Sequence, residues 1–204
     1  MPGLIGRKIG MTRIFDDQGT QIPVTVIEAG PCPVVQVRSL AGNGGRAVQL
    51  GFGAQGKRAT KAEVGHAVKA GLASAPGILR DFRLDANEEV QVGQELTVQQ
   101  FEAGDRVKVT GQSKGRGFQG VVRRHNFTGR PGGHGHPLAR NPGSIGPGTN
   151  PSRVIKGKKL PGQMGGTRTS VRNIQVVRVD SERNLLFVKG GVPGARNGYV
   201  LISK

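Results

Sequence analysis

The 204-residue chain has no tryptophan, one tyrosine, seven phenylalanines and one cysteine. A single cysteine, Cys32, excludes an internal disulfide and suits a reducing compartment. No run approaches the 18 consecutive apolar residues of a membrane-spanning helix. The opening MPGLIGRKIGMTRIF also lacks the 7–15-residue apolar stretch of a secretory signal. These absences predict a soluble, cytosolic chain without membrane contact. Only 35% of residues are apolar, so the core has to be small and aliphatic. Glycine (35) and proline (12) are abundant instead, near the composition at which a chain ceases to pack throughout.

Acid is the most informative scarcity. The chain holds 30 Lys plus Arg against 13 Asp plus Glu, a net charge of +17, and the excess is unevenly spread. Residues 1–105 carry 11 of each sign. Residues 106–173 carry 14 basic side chains and no acidic one, and residues 174–204 carry 5 and 2. Such a block implies a polyanionic partner, nucleic acid before an anionic membrane. From Gly111 to Gly166 there are also 15 glycines and 6 prolines. That composition buries too little apolar surface to offset its ordering entropy, so an extended basic arm is expected, ordered by its partner.

The flanks have a different rhythm. Short alternating or β-branched runs recur at Ile22–Ile27, Val34–Val37, Ala47–Phe52, Val90–Val92, Leu96–Val98 and Val107–Val109. Beyond the basic block come Ile174–Val179, Leu185–Val188 and Tyr199–Ile202. Turn-forming segments separate them, with DSERN (Asp180–Asn184) reading as a hairpin loop. Many short strands at this spacing predict an antiparallel barrel or sandwich. One segment departs from it. Thr60 and Glu63 fit a capping box, Val64, Val68 and Leu72 fall at i, i+4 and i+8, and Gly71 lies where a helix could end, which predicts one short amphipathic helix among the strands.

Motifs for chemistry are few. Gly115–Gly120 matches G-x-G-x-x-G, but no acidic residue follows before Asp180 to hold a ribose, and no βαβ repetition surrounds it. The same glycines let a backbone approach phosphate closely, with Lys114, Arg116, Arg123 and Arg124 supplying charge. His125, His134 and His136 lack nearby Cys or carboxylate partners, so RNA contact is favoured over a metal. No acid stands near to orient a histidine for nucleophilic catalysis, and Cys32, between two prolines, reads as a packed thiol. Neither a helix-turn-helix, a zinc-finger spacing nor a basic zipper is present, so RNA is expected rather than duplex DNA. The candidate RNA-binding residues are Lys114, Arg116, Arg123, Arg124, His125, Arg130, His134, His136, Arg140, Arg153, Lys156, Lys158, Lys159 and Arg168. No cofactor, metal, catalytic residue or small-molecule substrate is expected.

Four stretches carry a resemblance over essentially the whole length. They are GRKIGMTRIFDDQG (Gly6–Gly19) with PVTVIEAGPC (Pro23–Cys32), and VTGQSKGRGFQGVVRRHNF (Val109–Phe127). PGSIG (Pro142–Gly146) with VIKGKKLPGQMG (Val154–Gly165), and VVRVDSERNLLFVKGGVPG (Val176–Gly194), complete them. In these the chain resembles the bacterial large-subunit ribosomal protein L-three family. The resemblance implies a mainly β fold: a six-stranded antiparallel barrel like those of translation factors, a short helical insertion at about 57–80, and a long irregular basic extension. The body would comprise 1–120 plus 165–204 and the extension 121–164. It further implies a non-enzymatic constituent of the large subunit that binds 23S rRNA, acts early in assembly, and extends an arm to the peptidyl transferase centre. Large-subunit proteins fourteen and nineteen would be its neighbours, in the cytoplasm.

Two positions depart from the family pattern. Lys108 stands where Asp or Asn usually precedes VTG. Pro147 follows GSIG where some bacterial members carry a modifiable glutamine, so no glutamine methylation is expected in that loop, which mass spectrometry of the native protein would check. Two other readings stay open: a general RNA chaperone or architectural nucleic-acid-binding protein, and a nucleotide-dependent enzyme using Gly115–Gly120. If about ten basic residues of the arm reach phosphate, log K should fall against log salt with a slope of about −7 to −9.

Overall fold

A computed structural model describes residues 3–16, 18–39, 45–84 and 88–204. With 43% of the described residues in strands and 10% in helices, 3-10 turns included, the protein is mainly β. The strands in chain order are β1 (Leu4–Phe15), β2 (Gln21–Ala29), β3 (Cys32–Ser39), β4 (Arg46–Ala54), β5 (Pro76–Leu84) and β6 (Glu95–Leu96). After them come β7 (Arg106–Gln112), β8 (Phe118–Gln119), β9 (Gly162–Gln163), β10 (Arg168–Asp180), β11 (Leu185–Lys189) and β12 (Tyr199–Ser203). Among the described residues the α-helices are α1 (Lys61–Lys69) and α2 (Val121–His125). The residues form two compact units, Met1–Gln112 with Arg168–Lys204, and Ser113–Thr167.

In the first unit six strands close into a ring in the order β1-β12-β7-β10-β11-β2, every neighbouring pair antiparallel. Period-two patterning explains the inward face. Val107 and Val109 of β7, Leu186 and Val188 of β11, and Val200 and Ile202 of β12 are buried while their neighbours are less so. Closure leaves no open sheet edge around the ring. Register breaks between Lys8 and Gly10, Val171 and Ile174, and Val176 and Arg178 add the local bend that such closure demands. The DSERN segment is the hairpin loop between β10 and β11, with Asp180 paired to Leu185 and Asn184 left-handed at φ 52°.

A second sheet, in the order β5-β4-β3-β6, shares the same core. Val34, Val48, Leu50, Phe52, Phe82 and Leu84 join Leu4, Ile5, Ile27, Val176 and Ile202 in one apolar cluster, to which the second unit contributes nothing. Without tryptophan, the volume is filled by many small aliphatic side chains.

Several local expectations are corrected. Val90–Val92 forms no strand, and Leu96–Val98 divides between the end of β6 and a short 3-10 turn at Val98–Gln100. Within the segment 57–80, Lys61–Lys69 is α-helix after a 3-10 turn at Gly56–Arg58, and Pro76–Leu84 pairs along the whole of β4 as β5. The capping box is present: Thr60 Oγ1 accepts the Glu63 N–H at 3.4 Å, and Glu63 Oε2 accepts the Thr60 N–H at 2.8 Å. The buried face is another one, however. Ala67 and Ala70 are covered, whereas Val64 and Val68 are exposed. His66 is half-buried and meets Gln49 Oε1 at 2.8 Å.

Candidate nucleic-acid interface

The unit Ser113–Thr167 holds ten Lys or Arg residues, three His and no acid. Its two strands of chain begin as a ladder. The Ser113 N–H donates to the Thr167 carbonyl at 2.9 Å and the Arg116 N–H to the Met164 carbonyl at 2.8 Å. The Met164 N–H returns to the Gly117 carbonyl at 3.0 Å, before β8 and β9 pair Phe118 with Gln163. Gly165 makes this close approach possible: its φ is +72°, and a Cβ there would collide with the Lys114 carbonyl oxygen. α2 then makes little more than one turn and ends at Asn126, whose φ of 59° stops the helix.

Behind α2 lies a clamp. Arg124 Nη1 donates to the Leu160 carbonyl at 2.7 Å, and His125 Nε2 meets the same oxygen at 3.1 Å. That contact requires the tautomer with its proton on Nε2. The Arg124 guanidinium lies against Gly162, where a Cβ would come within 2.5 Å of Nη1. Further out, the Arg130 N–H donates to the Ala139 carbonyl at 2.9 Å. Arg130 Nη1 lies 3.0 Å from His136 Nε2, and the Leu138 N–H lies 3.1 Å from His136 Nδ1. A neutral imidazole has one acceptor nitrogen, so one of these two bonds holds at a time.

The sequence-derived candidates therefore separate. Lys114, Arg116, Arg123, His134, Arg140, Arg153, Lys156, Lys158 and Lys159 are exposed, and their side chains have no hydrogen bond or ion pair among the described residues. Eight of these nine are permanent cations. Arg124, His125, Arg130 and His136 hold contacts inside the unit, and Arg168 stands exposed at the start of β10 in the first unit. Phe118 was not singled out from the sequence. It is 74% exposed and two residues from Arg116, a free aromatic face among cations. An aromatic standing alone in a basic, glycine-rich run was the available signal.

Ion pairs in the first unit include Arg7 with Glu28 at 2.7 Å, Arg38 with Asp81 at 3.8 Å, and Lys204 with Asp105 at 2.6 Å. The Lys204 hydrogen bond, joined by the Glu102 N–H, holds the Asp105 carboxyl below its usual range. The Cys32 thiol is buried, which pushes its pKa up to about 12, and it donates to the Ile5 carbonyl at 3.3 Å. Among the described residues, no group of three or more His, Cys, Asp or Glu could hold a metal. No described helix is long and apolar enough to cross a membrane. The Gly115–Gly120 run contains β8, which pairs antiparallel, and leads into a five-residue helix. A dinucleotide fold instead needs parallel strands and a longer helix.

Residues 77–188 match the family profile described as ribosomal protein L3. This chain belongs to the ribosomal protein L3 family. The proteins named large ribosomal subunit protein uL3 from Trichlorobacter lovleyi and Thioalkalivibrio sulfidiphilus are 50% and 52% identical to it. Each alignment covers 98% of this chain and 95% of the relative. The Brachyspira pilosicoli protein of the same name is 49% identical, over 100% of this chain and 94% of its own. The L3 profile spans the whole of the acid-free unit together with β7 and β10.

Proposed function

We propose that this L3-family chain is a structural constituent of the large ribosomal subunit that binds 23S rRNA directly in the cytoplasm. One observation carries the reading: eight permanent cations stand exposed and unpartnered on a unit without a single acid. Charges of one sign repel one another, and their stable arrangement is one in which a polyanion supplies the counter-charge. With eight rather than ten available, the salt slope becomes about −6 to −7. Phe118 adds a stacking face for an unpaired base.

In this reading the closed ring is a translation-factor-like β-barrel that docks on the rRNA surface. The extension, 121–164, threads between RNA helices in the direction of the peptidyl transferase centre and neutralises phosphates where they crowd. Early binding would assist subunit assembly, with large-subunit proteins fourteen and nineteen as neighbours. The protein makes no bonds itself. Similarity to proteins named large ribosomal subunit protein uL3 supports the destination, and the charge supports the ligand.

A second reading, a general RNA chaperone or architectural nucleic-acid-binding protein, rests on the same cations. Footprinting of the full chain on naked large-subunit rRNA separates the two. Discrete protected sites that survive competitor tRNA and DNA are the expected result. Diffuse protection, displaced equally by any nucleic acid, would favour the second.

A further inference from the structure

We infer that the ring carries its own site for a single phosphodiester of an RNA strand, at the bulge in β10 and separate from the acid-free unit. The inference rests on the rRNA-binding reading and adds a contact to it. Val171 pairs with Val109 and Ile174 with Val107, so Arg172 and Asn173 together face one residue, Lys108. Asn173 takes up the extra length in the left-handed region at φ 56°. The distortion opens a groove of about 390 Å³ lined by Arg106 of β7, Arg172, Asn173 and Gln175 of β10, and Lys189 and Gly191 at the end of β11.

The chemistry of this groove is selective. Three cations from three neighbouring strands line it, and no acid does. Each cation is exposed, and its side chain has no hydrogen bond or ion pair among the described residues. The adjacent acid in the chain, Asp105, is already engaged by Lys204 at 2.6 Å and by the Glu102 N–H at 3.0 Å. A phosphate is the complementary ligand for clustered guanidinium and ammonium groups. The amides of Asn173 and Gln175 add neutral hydrogen-bonding groups suited to a ribose hydroxyl. No aromatic side chain lines the groove to stack a base. The ligand is therefore a strand backbone, gripped without regard to sequence, rather than a free nucleotide.

The test uses the full chain and a large-subunit rRNA fragment over a salt series. Two groove variants are compared, R106Q/R172Q and Gly191→Glu. The second puts a carboxylate into the groove at a position where a Cβ meets open space. K158Q/K159Q, in the acid-free unit, serves as the reference, and thermal midpoints confirm folding. Each groove variant is expected to keep its midpoint, bind all RNA sequences more weakly, and show a salt slope shallower by about 1. Unchanged slope and affinity in both groove variants, with loss in K158Q/K159Q, would overturn the groove site and leave the rRNA reading standing. No change in any of the three would overturn both. Titration of the wild-type chain with inorganic phosphate and with uridine monophosphate settles the source. Weak, similar shifts of the Asn173 amide are expected, and tight saturable binding of the mononucleotide would overturn the strand assignment.

Discussion

Lys158 and Arg124 carry the same charge but are held differently. Lys158 is exposed without a partner, whereas the Arg124 guanidinium spends its hydrogen bond on the Leu160 carbonyl. Lys158→Gln should weaken RNA binding uniformly across sequences and make the salt slope shallower by about 1, with no change in thermal midpoint. Arg124→Ala should act on the unit's own structure, speeding proteolytic cleavage within 113–167. Arg124→Lys should not restore protection, because a point charge does not reproduce the planar fork. Both are readable as cations from the sequence, but a hydrogen bond to a carbonyl 36 residues away is not. Cys32, in contrast, was legible as a packed thiol from its two flanking prolines and lack of a cationic neighbour. Raised from 9.0 to about 12 by burial, it stays protonated at neutral pH, so thiol reagents should react only after unfolding. The linked stability is present below pH 9 and is lost as pH climbs from 9 towards 12, where the unfolded thiol ionises before the folded one. Over that range the wild-type thermal midpoint should fall more steeply than that of Cys32→Ala.

α1 shows how far local signals reach. Its start was legible because a capping box is written in four consecutive residues, Thr60 to Glu63. Hydrogen bonds from Thr60 hold the Glu63 carboxyl below its usual range, so this support is present above the usual carboxylate range and lost as pH falls through the lowered value. Thr60→Ala should cost about 1 kcal/mol, read as a drop of about 2–4 °C in thermal midpoint, and Thr60→Ser should recover most of it. The buried face was not legible, because burial is set by residues distant in the chain, and it falls on Ala67 and Ala70 while Val64 and Val68 stay exposed. β1 was hidden for a related reason. Its sequence, LIGRKIGMTRIF, has glycine and charge where alternation should be, yet β2 pairs along most of it and β12 along its first residues.

The division of the chain can be tested by removal. Every residue of the apolar cluster lies outside 113–167, and the rung between Gln112 and Arg168 belongs to the ring. A chain lacking residues 125–160 should therefore still unfold in one cooperative thermal transition, and loss of that transition would refute the separability of the two units. The uneven charge, the glycine-rich block and most of the ring's strands follow from sequence alone, because charge and period-two alternation are properties of neighbouring residues. Tertiary structure decided the rest. Closure joins Leu4 to Ile202 and Thr110 to Ser170, contacts that no local window contains. Only once such strands are paired does a register break fall at Arg172 and Asn173, opening a groove beside Arg106 and Lys189. Likewise, only the folded Leu160 carbonyl separates the two side chains it engages, Arg124 and His125, from the cations left for a partner. Hydrogen bonding and burial are relations between distant residues, and their outcome is set when the chain closes on itself.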